Sequence, residues 1–160
     1  MPKKIKPILR REDWDARLFA YVEENRAKPF KWGVRDCCLI ACDGVKAVTG
    51  YDPAKPEFRG KYKDELEAMR LVKKYRSVEG VAVAICKRLG FDEVRVSMAH
   101  RGDVMLYDIA EGKKTRPALG FCLGADSVFA GLDGFQFVPT AQCRRAWAVA
   151  RLVPEAGRIL

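Results

Sequence analysis

The hydrophobic pattern of this chain changes character once, at Gly90, and that change limits the folds open to it. Before Gly90 the apolar residues recur with helical spacing. Trp14, Leu18, Tyr21 and Val22 fall at i, i+4, i+7 and i+8, which predicts a helix over about 12–27 that Pro29 stops. Residues 37–48 are apolar around most of a helical circumference, which predicts a second, buried helix. Asp36 stands where an N-cap belongs and Gly50 where a left-handed C-cap belongs. A loop rich in proline and glycine follows, then a third helix from about Asp64 to Lys74 and a fourth from about Val78 to Leu89. After Gly90 the segments are short and rich in valine and aromatics: "EVRVS", "DVMLYDI", "ALGFCLGA", "DGFQFVP" and "RAWAVARLV", divided by Gly, Pro or charged turns. Helices first and strands second is an α+β order, with the helices packed on a small antiparallel sheet.

The length of 160 residues suits one domain, and 49% hydrophobic residues can build its core without staples. The net charge of +9 favours an acidic partner: nucleic acid, an anionic cell-wall polymer or an acidic protein surface. Part of that charge is local. Residues 1–11 contain Lys3, Lys4, Lys6, Arg10 and Arg11 and no acid. They read as a basic arm ahead of a single domain over 12–160, either a solvated tail or a segment that orders only against an acidic partner. Ile5 to Leu9 is too short for the apolar core of a signal peptide, and no run of about 20 apolar residues predicts a membrane span. Synthesis and folding in a cytoplasm are therefore expected, with the six cysteines mostly reduced.

The cysteines do not read as a metal site. Their pattern is C-C-x3-C followed by isolated residues, without a C-x2-C pair, and His100 is the sole histidine. No phosphate-cradling glycine loop is present, so no cofactor is expected. Zinc-finger spacing, a basic zipper and a clear helix-turn-helix are also missing, which argues against specific nucleic-acid recognition.

The chemistry, if any, lies in "PFKWGVRDCCLIACDGV", residues 29–45. A cysteine at a helix N-terminus has its thiolate stabilised by the helix dipole and by free backbone N–H groups, and Cys37 stands there. The competing reading is packing, because free cysteine is among the most buried residue types.

The stretch from Phe30 to Gly50 resembles the active-site segment of the NlpC-type cysteine peptidases, papain-like enzymes that cut peptidoglycan stem peptides. "RGDVMLYD" at 101–108 resembles that family's Gly-Asp strand entry, and "ALGFCLGADSVFAG" at 118–131 its next hairpin. The chain is more similar still to an uncharacterised, phage-encoded branch of that superfamily found among tail genes. That branch carries a "WG-x-x-DC" start (Trp32 to Cys37), an "RG-x-Y" loop (Arg59 to Tyr62), an "RGDV" strand (Arg101 to Val104) and an "AW" strand (Ala146-Trp147). The resemblance implies a papain-like NlpC-type fold with Cys37 as the candidate nucleophile. In the peptidases a histidine takes the proton from the cysteine and a second polar residue, often histidine, orients it. The matching positions here are Ala118 and Ala130.

His100 does not replace them. If the strand from Asp103 pairs antiparallel with the strand from Ala118, Tyr107 and Asp108 lie beside Ala118. His100 is then about seven residues away, or about 23 Å. A base must lie within about 3 Å of the proton it takes. Asp108 is the better-placed polar group, although a carboxylate beside a thiol raises its pKa. Two functions remain open. One is a structural or assembly component of a phage-type tail, in the tip or hub region, binding other tail proteins and residing in the virion after synthesis in the bacterial cytoplasm. The other is an active cysteine peptidase or amidase acting on peptidoglycan during infection.

Overall fold

The computed structural model describes residues 6–159. Helix α1 spans Trp14–Asn25, α2 Leu39–Thr49, α3 Glu65–Lys73 and α4 Val78–Leu89. The strands are β1 Glu93–Val94, β2 Val104–Glu111, β3 Lys114–Cys122, β4 Asp126–Gly131, β5 Gly134–Pro139 and β6 Arg145–Trp147. They form one antiparallel sheet in the order β1-β6-β2-β3-β4-β5. The α+β class and the helix-then-strand order expected from the sequence are both present.

The helix ends follow local chemistry. Asp64 accepts the Glu67 N–H, and Ser77 accepts that of Gly80, which caps α3 and α4. Gly50 and Gly90 take left-handed backbone at the C-caps of α2 and α4. Inside, α1 packs on α2, while α2 and α4 pack on β3. The middle of this layer holds Leu18, Leu39, Ile40, Val48, Met105, Leu106 and Phe121, all fully buried. Each such side chain stabilises the fold by roughly 1.5–3 kcal/mol.

The strands depart from the sequence reading in four places, the first being β4, which lies outside the five segments and is covered only by the hairpin resemblance at 118–131. β1 lasts two residues, because Val96–Met98 winds into a short 3-10 turn. β3 starts at Lys114, four residues before "ALGFCLG", because a tight Gly112 turn pairs Glu111 with Lys114. β6 stops at Trp147, although Val149 alternates with it and is also buried. Ala150 has a φ of 51°, which turns the chain out of the extended region so that Arg151 reaches back to Asp103.

Candidate functional site

The loop before α2 is organised by one buried carboxylate. Asp36 accepts hydrogen bonds from the backbone N–H groups of Gly33 (2.9 Å), Cys38 (3.0 Å) and Leu39 (2.9 Å), and from the Tyr62 hydroxyl. Its own carbonyl accepts from the Ile40 N–H, so α-helical bonding begins at Asp36. The N-cap of α2 is Cys38, two residues beyond the Asp36 expected from the sequence, but the Asp36 carboxylate still accepts the first free N–H groups and its charge faces the positive helix end. Burial, then Asp36, push the Tyr62 hydroxyl well above the usual tyrosine range.

Cys37 sits between this cap and the sheet. Its carbonyl accepts the Leu119 N–H at 2.8 Å, which fixes β3 at Ala118–Leu119 against it. The residue is 6% exposed. The cleft above it is lined by Trp32, Asp36, Tyr62, Met69 and Val72 among others, and measures about 10 Å³. That is room for about one water and not for a peptide. The neighbouring Cys38 thiol is pushed well up by its hydrogen bond with Cys37, by burial and by Asp36. Burial raises Cys42 and Cys86 as well.

The strand register fixes where Ala118 and Ala130 lie. Tyr107 pairs with Ala118, and Ala130 lies on β4 opposite Phe135. Both alanines are buried, and neither can accept a proton. His100 lies beyond the opposite end of β2, in the turn where its N–H donates to Asp103 and Gly102 donates to Cys122. Its ring is not brought to Cys37. Asp108, the polar group expected nearest the thiol, is instead held by Arg144 at 2.8 and 3.1 Å. It sits opposite Pro117 and is committed to an ion pair on the surface.

The other motif residues build the frame. In "RG-x-Y", Arg59 bridges Asp52 (2.5 Å) and Asp43 (2.6 Å), tying α2 to the loop that follows it. Burial would lower the Arg59 guanidinium, but these two carboxylates hold it raised. Asp43 also accepts from the Tyr21 hydroxyl at 2.7 Å, which joins α1 to the same network. In "RGDV", Asp103 is fully buried and accepts from the N–H groups of His100 (2.8 Å) and Val149 (3.0 Å), from Arg10 (3.1 Å) and from Arg151 (2.6 Å).

Arg10 is therefore not part of a free arm. It also donates to the carbonyls of Val149 and Arg101 and lies 4.3 Å from the Trp14 ring centroid. It orders against the chain's own Asp103, where an external acidic partner was expected. The Arg11 N–H donates to the Val48 carbonyl and its guanidinium lies along Gly50. Lys6 is exposed, and Lys3 and Lys4 lie outside the described residues.

The sequence places Asp103 at the entry to a strand and does not show its long-range role. The available signal was an acid between Arg101 and Val104 in a chain with arginines near both ends. Among the described residues no group of three or more His, Cys, Asp or Glu side chains could hold a metal, and every buried side-chain nitrogen or oxygen has a partner. Among them, too, no helix is long and apolar enough to cross a membrane.

No curated protein and no solved structure matches the chain. A family profile does match, over residues 9–149, a span that includes Arg10, Asp36, Cys37, Arg59, Tyr62 and Asp103. The chain belongs to that family, which is described as a domain of unknown function, DUF6950.

Proposed function

We propose that this domain is a non-catalytic assembly component of a phage-type tail, built on a frame like that of the NlpC-type peptidases but without their chemistry. One observation carries the reading. Cys37 is 6% exposed under a cleft of about 10 Å³, and the β3 residue beside it is Ala118. A cysteine hydrolase needs a base within hydrogen-bond reach of the thiol and space for a scissile amide. Of the polar groups near Cys37, Asp36 already accepts four hydrogen bonds and Tyr62 already donates to it. A carboxylate so occupied is a cap. Its lone pairs are taken up by those donors, so it is not placed as a base for the thiol.

The motif residues support the same reading, since Asp36, Arg59, Tyr62 and Asp103 all hold segments together. A net charge of +9 favours an acidic partner in the assembled particle. In a particle that encodes this protein, Cys37→Ala is expected to leave assembly and infectivity unchanged. Normal assembly with lost infectivity, or Cys37-dependent cleavage of purified peptidoglycan, would refute the proposal and restore the peptidase reading.

A further inference from the structure

One face of the domain combines exposed apolar side chains with cations that make no ion pair among the described residues. Helix α3 buries Ala68 and Val72 and turns Leu66, Met69, Arg70 and Lys73 outward, at i, i+3, i+4 and i+7. Leu66 is 64% exposed and Met69 38%. Beside α3 two loops lie against each other. Gly33 has a φ of 80°, and a side chain there would strike the Tyr62 carbonyl, so the 31–35 loop rests directly on the 61–63 segment. These loops expose Val34 (39%), Lys31, Lys61 and Lys63. Trp32 and Met69 line the same small cleft, which makes the loops and the helix stripe continuous.

The nearby acids are committed elsewhere. Asp64 caps the Glu67 N–H, Glu67 accepts from the Lys63 N–H, and Glu65 pairs with Arg116 at 3.7 Å. Lys31, Lys61, Lys63, Arg70 and Lys73 share the loops and helix that carry Leu66, Met69 and Val34, make no ion pair among the described residues and outnumber the three acids of that segment.

We propose that this face binds an acidic protein segment carrying apolar side chains. The inference rests on the assembly reading above and names the chemistry of the partner. Apolar side chains would cover Leu66, Met69 and Val34, and carboxylates would meet the five cations around them. A nucleic acid or cell-wall polymer would match the charge but leave Leu66 and Met69 facing polar groups. A base would also lack a free stacking platform, since Trp32 is edge-on to Phe30 at 4.8 Å and has Arg116 over its ring.

The test is to select a displayed library of random dodecapeptides on the full chain, with counter-selection on a Leu66→Ser, Lys61→Glu, Lys63→Glu variant. These positions are exposed, so the variant is expected to melt like the parent. Enriched peptides are expected to be net acidic with interspersed Leu, Ile or Phe. In fluorescence anisotropy, Lys61→Glu with Lys63→Glu should weaken the best peptide roughly tenfold or more, and Leu66→Ser roughly fivefold. Lys55→Glu with Lys113→Glu, an equal charge change outside the five cations, should leave binding within about twofold if those cations make the contact. Neutral or basic winners, no enrichment over the variant, or equal weakening by the control pair would overturn the proposal. So would competition by oligothymidylate or purified peptidoglycan that fades in the same variants, because the face would then serve a polymer. Failure here leaves the non-catalytic reading standing, whereas Cys37-dependent hydrolysis would defeat that reading without changing the peptide measurement.

Discussion

Replacing Asp103 with alanine should cost more stability than any surface change in this protein. Its carboxylate is fully buried, while the Arg10 and Arg151 side chains are only 12% and 14% exposed. One oxygen accepts from the Val149 N–H, Arg10 and Arg151, and the other from the His100 N–H and Arg151. Alanine would leave two largely buried guanidinium groups without a counter-charge. Breaking a buried ion pair from one side costs about 3–5 kcal/mol, and an orphaned buried N–H about 1–3 kcal/mol. These costs overlap, so the expected loss is about 4–5 kcal/mol. At about 2–4 °C per kcal/mol for a chain of this size, Tm should fall by roughly 8–20 °C. Urea unfolding followed by far-ultraviolet circular dichroism reads the loss directly. A double-mutant cycle with Arg10→Ala should show a coupling of about 1–3 kcal/mol, because the two groups share one site. A loss below about 1 kcal/mol, or no coupling to Arg10, would refute the claim that Asp103 joins the N-terminal segment, the β2 turn and the C-terminal segment.

Further outcomes follow from the same frame. Tyr62→Phe removes a hydroxyl bonded to the Asp36 carboxylate and should cost about 1.5–3 kcal/mol in urea unfolding. His100→Ala should change stability by less than about 0.5 kcal/mol, since the contact to Asp103 uses its backbone N–H. At high pH, Cys38 and Cys86 ionise only on unfolding, because their folded values lie well above the free-thiol range of about 8.5. Their stabilisation is complete below about pH 8.5 and is lost above it, at about 1.4 kcal/mol per thiol per pH unit, which urea titrations between about pH 8 and pH 10.5 would detect. At low pH the sign reverses for Glu57 and Glu79. Their values are held down by Tyr75 and by Arg144 with Arg145, so their contribution is present above about pH 4.3 and fades as pH falls further.

The sequence displayed the fold more fully than the site. Helical spacing located α1 to α4, and the C-caps at Gly50 and Gly90 were readable because each depends on residues within a few positions, whereas the N-cap of α2 falls at Cys38 and not at Asp36. The pairing of Tyr107 with Ala118 followed from strand order and antiparallel geometry. The parts that stayed hidden depend on contacts across the chain. Arg10 reads as one cation in a basic run, because its partner is 93 residues away. The end of β6 could not be seen, since Val149 keeps the alternation while Ala150 breaks the backbone. Arg59 and Gly60 read as a loop that could bind a partner or cap the fold, with packing favoured, but the sequence does not show that Asp43 and Asp52 hold Arg59 or that Tyr62 reaches Asp36. Asp108 looked available to a thiol because Arg144, which holds it, is 36 positions away.

The central claim is that Cys37 packs and does not react. The measurement closest to it is alkylation of the native protein by iodoacetamide from about pH 5 to about pH 9, with the modified cysteine located by mass spectrometry. The account predicts slow labelling of Cys37 throughout, becoming rapid only after unfolding, because the thiol is 6% exposed under a cleft of about 10 Å³ and has no base beside it. Rapid labelling of native Cys37 near pH 6, well below the free-thiol range of about 8.5, would mean an activated and accessible thiolate and would contradict the account.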